Sequence, residues 1–128
     1  MTLTEFLEAR ISEDGAAAQD NLWHEWTAVS GQVDARWWVD SPEVGHLYST
    51  GYVGNGDSRP AAEHIARHDP ARVLAECASR RAVLAECSQW YPTVRGGLAV
   101  CKDMAETILL ALAVPYADHP DFDEAWSL

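Results

Sequence analysis

Residues 23–49 read W-H-E-W-T-A-V-S-G-Q-V-D-A-R-W-W-V-D-S-P-E-V-G-H-L-Y-S. Within them three short runs, Trp23 to Val29 and Ala35 to Val39 with tryptophan and β-branched residues and His46 to Ser49 with Leu47 and Tyr48, are set apart by S-G-Q and S-P-E-V-G. Glycine admits backbone angles closed to other residues and proline fixes one turn dihedral, so each separator favours a chain reversal. The spacing predicts a small antiparallel meander of about three strands. Side chains alternate across a strand, which places Trp26 and Ala28 on one face, Trp23 and Val29 on the other, and splits Trp37 from Trp38. At least one indole is therefore expected at the rim or beneath a covering helix.

Helical patterns flank the meander. Thr2 and Glu5 form a capping box, and Leu3, Phe6, Leu7 and Ile11 recur at helical spacing, predicting an amphipathic helix over residues 3–20 with an acidic outer face. After the meander, T-G-Y-V-G-N-G-D-S-R (50–59) holds glycines enough to predict a surface loop. Pro60 opens a short helix that must stop near residue 68, because Pro70 biases Asp69 towards an extended backbone. Asp69 is then placed to cap a longer helix, roughly 70–88. That helix carries V-L-A-E-C at 73–77 and again at 83–87. Ten residues at ~100° each leave the copies about 80° apart, so they form no common stripe.

Tyr91, Pro92, Gly96 and Gly97 predict a loop, and Met104, Ile108, Leu109 and Leu112 with neighbouring alanines predict a helix that is apolar on most of its circumference. A helix of that kind is expected at the centre of the domain. Pro115 ends it. A last helical turn from Pro120 sets Phe122 and Trp126 on one side, and the proline-bounded aromatic terminus is expected to fold back and seal the bundle. The predicted fold is α+β: a small antiparallel β-meander packed with an N-terminal helix and three further helices, in a single domain spanning residues 1–128.

Composition narrows the partners. Of the 128 residues, 48% are hydrophobic and spread along the whole length, which supports one core without metal or disulfide staples. Twenty acids against 9 bases give a formal charge of -11. That surplus opposes direct binding to a nucleic-acid backbone and suits a basic protein partner, DNA mimicry or plain solubility. The N-terminus lacks the basic flank and apolar run of a secretory signal, and the apolar run from Ile108 to Val114 falls far short of the ~20 residues a bilayer demands. The expectation is a cytoplasmic protein without membrane contact, whose Cys77, Cys87 and Cys101 are reduced thiols filling core positions.

Three groups of residues bear on chemistry. His64 and His68 stand four apart, so on a continuous helix both imidazoles share a face and could hold zinc with a third ligand such as Asp69, Cys87 or His119. The competing reading is structural, since a cationic histidine at a helix C-terminus is favoured by the helix dipole. Asp118, His119 and Asp121 permit acid–base work, or else build a turn in which Asp118 bonds local amides and Asp121 starts a helical turn. Trp37, Trp38, Tyr116 and Trp126, with Asp118 and Asp121, are the candidate partner- or ligand-binding residues, against a packing role in a domain this small. The glycine-rich G-Y-V-G-N-G-D matches neither phosphate-binding loop pattern, and no catalytic triad is present.

Three motifs carry a family likeness: T-E-F-L-E-A-R-I-S-E-D (4–14), E-H-I-A-R-H-D-P-A-R-V-L (63–74) and L-A-V-P-Y-A-D-H-P-D-F (112–122). On them the chain resembles the actinobacterial and actinophage "domain of unknown function 6221", in outline over nearly its whole length. The resemblance implies no activity, substrate or catalytic residue. Members of that family often carry a cysteine-rich stretch resembling a metal knuckle between the last two motifs; here Cys87 and Cys101 stand without a C-x-x-C pair.

The functional expectation is a non-enzymatic acidic accessory or interaction protein without a cofactor. The alternatives are a small zinc-binding domain or metal-assisted hydrolase using His64 and His68, and a small-ligand domain with a tryptophan-lined pocket.

Overall fold

The computed structural model describes residues 1–31, 33–92 and 99–128. Gln32 of the S-G-Q turn and Gly96 and Gly97 of the predicted loop lie outside the described residues. The elements run α1 (Leu3–Gln19), β1 (Thr27–Ser30), β2 (Arg36–Ser41), β3 (Gly45–Tyr52), α2 (Ser58–Arg67), α3 (Pro70–Cys87) and α4 (Ala99–Ala113), followed by 3₁₀ turns at Val114–Tyr116 and Glu124–Trp126. Among the described residues this is an α+β fold, four helices and a three-stranded antiparallel sheet. The chain divides into two compact units, Gly15–Ala75 and Met1–Asp14 with Glu76–Leu128.

The contiguous unit contains the sheet, in the order β1-β2-β3. Val39 of β2 pairs with Ala28 on one side and Tyr48 on the other. Alternation turns Val39 and Trp37 to the same face, where Ala62 and Ala66 of α2 close over Val39, with Trp26, Ala28 and Ile65 packed around them. Alanines at this face let the helix lie close to the sheet, and the larger side chains fill its margins.

The first strand is shorter than the run beginning at Trp23 predicts, because the backbone ahead of it bonds elsewhere. The Trp26 N–H donates to Asp69 Oδ2 at 3.3 Å, and the His24 carbonyl accepts the Ala71 N–H at 3.0 Å. Asp69 also accepts the Arg72 N–H at 2.8 Å, making it the predicted cap of α3. In contrast, β3 outruns its prediction and takes in Thr50, Gly51 and Tyr52 of the expected loop. Thr50 Oγ1 donates to the Ser58 carbonyl at 2.7 Å, holding the end of β3 against the start of α2. Gly51 is required there: its φ is 127°, and a Cβ would sit 2.6 Å from Ser58 Oγ.

In the other unit, α1 begins with the capping box. The Thr2 N–H donates to Glu5 Oε2 at 2.7 Å, and the Glu5 N–H donates back to Thr2 Oγ1 at 3.3 Å. Leu3, Phe6, Leu7 and Ile11 are buried, as are Cys77, Leu84 and Cys87 of α3 and Ala105, Leu109 and Ala113 of α4. The last three recur every fourth residue, a narrow buried stripe. Here the expectation of a central helix needs correction: Val100, Met104 and Ile108 of α4 are 69%, 61% and 40% exposed. Apolar composition around a helix does not by itself supply neighbours on every side.

Candidate functional site

Phe6 is fully buried at the point where the C-terminal segment meets α1. Four rings from residues 116–126 surround it. Tyr116, His119 and Phe122 meet it edge-on with centroids at 6.3, 5.8 and 5.9 Å, and Trp126 lies tilted at 5.0 Å. Edge-to-face contacts set the positive rim of one ring on the negative face of another, adding to the area removed from water. Phe122 and Trp126 also meet each other at 5.8 Å, though not on the helical turn expected from Pro120, because the backbone is extended at Asp123 and the last turn spans Glu124–Trp126. The turn that places them is capped by Asp123, whose Oδ1 accepts the Ala125 N–H at 2.9 Å, whereas the sequence pointed to Asp121 for that task.

Asp121 has a different position. Its N–H donates to His119 Nδ1 at 3.1 Å, and the same nitrogen receives Arg10 Nη1 at 3.0 Å. Both contacts converge on the one ring nitrogen. Arg10 is only 6% exposed; its Nη2 reaches Glu13 at 2.6 Å, its Nη1 stands 3.6 Å from Asp121 Oδ2, and its guanidinium carbon lies 5.3 Å from the Phe6 ring centre. Its Nε is buried without a partner among the described residues. Reading from composition treats arginine as a surface residue and misses this role. The signal was the helical phase, since Arg10 follows Leu3 by seven residues and Phe6 by four, on the buried face.

Tyr116 forms a second polar contact one helical turn further along α1. Its hydroxyl donates to Asp14 Oδ2 at 2.6 Å and accepts from Arg80 Nη1 at 3.1 Å. Burial, reinforced by the Asp14 carboxylate, pushes its phenol up to about 12. Asp118 is exposed and makes no hydrogen bond or ion pair among the described residues. Tyr116, His119 and Asp121 are thus engaged in holding the terminus to α1, and Tyr116 to α3 as well.

The remaining candidates lie in the other unit. Trp37 packs towards α2, with the Arg59 guanidinium 5.6 Å from its ring centre. Trp38 faces the opposite way, stacked on His46 at 4.4 Å and 5°, while its Nε1–H donates to Asp34 Oδ2 at 3.1 Å. His64 and His68 are exposed on α2 and at its C-terminal end, their ring centroids 4.6 Å apart. Among the described residues, no three His, Cys, Asp or Glu side chains form a group able to hold a metal.

A recess of about 260 Å³ between α3 and α4 is lined by Cys87, Trp90, Cys101, Met104 and Ile108, with Glu86 at its edge. Burial, with help from Glu86, pushes the Cys87 thiol up, away from the reactive thiolate. Along α4 the apolar surface continues to Val100, beside Asp103 and Thr107. No described helix is long and apolar enough to cross a membrane.

A family model matches residues 1–128, the whole chain. The chain belongs to DUF6221, a family of unknown function. No curated protein and no solved structure matches it. All three motifs on which the likeness was read now have a physical account: residues 4–14 supply Phe6, Arg10 and Asp14 to the cluster at the C-terminal segment. Residues 112–122 supply Tyr116, His119 and Phe122 to the Phe6 cluster, and residues 63–74 supply Ile65 and Ala66 to the sheet core and Asp69 to the α3 cap. The imidazoles of His64 and His68 take no part in that packing.

Proposed function

We propose that this DUF6221 chain is a non-enzymatic docking protein that receives a basic amphipathic helix of a partner protein on the exposed face of α4. The observation that supports it is the row Val100, Met104 and Ile108, one residue per turn, exposed beside an apolar recess. Such a row matches the way an amphipathic helix lays its anchors into a groove. Glu86 and Asp103 border it, and the formal charge of -11 favours encounter with a cationic partner. The engagement of Arg10, His119 and Tyr116 in packing favours a binding role over chemistry in the C-terminal segment. Work in the cytoplasm of an actinobacterium, or of a cell carrying its phage, belongs to the same proposal.

Calorimetric titration with two designed helical peptides tests it. Both carry leucines at helical spacing; one is flanked by lysines, the other by glutamates. Binding of the lysine peptide alone, weakened by salt and abolished by Met104→Asp in a folded protein, is the expected outcome. Equal binding of both peptides, or binding indifferent to Met104→Asp, rules the reading out.

A further inference from the structure

We propose that His64 and His68 form an open two-imidazole site for a late first-row divalent cation of the zinc, nickel or copper kind. The inference concerns a different surface from the α4 face and stands or falls independently of it. Both rings are exposed and, among the described residues, neither makes a side-chain hydrogen bond or ion pair. Their one ring contact is with each other, at 4.6 Å between centroids and 51° between planes. The competing reading from the sequence, a cationic histidine favoured by the helix dipole, concerns the same C-terminal end of α2, where His68 stands.

The geometry suits shared ligation. With metal–nitrogen bonds of about 2.0–2.1 Å, each ring centre stands roughly 3.2 Å from the ion, so two cis imidazoles have centroids about 4.5 Å apart at a right angle and about 5.2 Å at a tetrahedral one. The observed 4.6 Å falls within that span. Imidazole nitrogens select late first-row cations over magnesium or calcium, which prefer oxygen.

Two features of the surroundings set the strength. The site lies at the C-terminal end of α2, where the helix dipole favours positive charge, and the acidic chain concentrates cations near its surface. Arg67, exposed and adjacent to His68, opposes a dication. The other coordination positions fall to water or to a ligand from outside, the arrangement of an exchangeable site and not of a closed structural one.

Thermal unfolding of the intact protein with zinc, nickel or magnesium chloride tests the proposal. A ligand that binds only the folded state raises the midpoint in proportion to its occupancy. Zinc and nickel are expected to raise it, magnesium not. His64→Ala and His68→Ala should each remove the shift while leaving the circular dichroism spectrum intact, because both side chains are exposed. Arg67→Ala should enlarge it, and His46→Ala should leave it unchanged. Absence of any zinc- or nickel-specific shift, or a shift that survives both His64→Ala and His68→Ala, overturns the assignment.

Discussion

Helix α4 and the segment that follows it invert what their compositions suggest. The helix is the more apolar of the two, yet Val100, Met104 and Ile108 remain exposed and small side chains supply much of its buried stripe. The segment from Val114 to Trp126 carries four carboxylates, yet four of its rings enclose Phe6. Burial follows the availability of a neighbour. Prolines at 115 and 120 restrict the unfolded segment and so lower the entropic cost of ordering it. Asp121 meets Arg10 and Asp123 caps the last turn, leaving the rings free to pack.

Breaking the contrast at its strongest point means removing Phe6. Phe6→Ala is expected to cost about 3–5 kcal/mol in urea unfolding, the range for a fully buried aromatic. A loss near that of a surface substitution would show that the terminal rings do not depend on it. On the helix, Leu109→Ala should cost about 2–5 kcal/mol, since Leu109 is the large residue of the buried stripe.

A pH experiment isolates the terminal segment from α4. The Tyr116 phenol is raised in the folded state to about 12 from an ordinary value of 10.0, so the folded protein holds that proton more tightly than the unfolded chain. Its contribution is fully present below pH 10 and is lost as pH rises towards 12. Tyr116→Phe should therefore flatten the alkaline fall in stability across that window, as seen in unfolding midpoints; an unchanged slope would remove Tyr116 from the explanation. The smallest effect belongs to Met104→Gln, expected to change unfolding stability by less than about 0.5 kcal/mol, as at ordinary surface positions. A large loss there would mean that α4 is packed more fully than its exposure indicates.

Much of the architecture was legible because the signals were local. Thr2 and Glu5 announce the start of α1, Asp69 with Pro70 announces the corner before α3, and the two turn sequences S-G-Q and S-P-E-V-G announce the sheet. The misjudged boundaries depend on partners distant in sequence. The early part of the first tryptophan run reads as strand, but its backbone bonds to Asp69 and Ala71; Thr50 to Tyr52 read as loop until Ser58 is beside them. In the candidate site, the aromatic terminus stood out by composition, whereas Arg10 was hidden among exposed-type residues and only its helical phase gave it away. Hydropathy reports what a side chain prefers and is silent about what lies opposite, which is why α4 was placed at the centre.

The ring cluster also fixes an order of events during synthesis. Residues 15–75 are contiguous, so their sheet and covering helix can assemble while the ribosome is still extending the chain. Phe6 precedes Trp126, the most distant of its ring partners, by 120 residues of chain. The Phe6 ring therefore stays uncovered by these partners until residues 116–126 have been made.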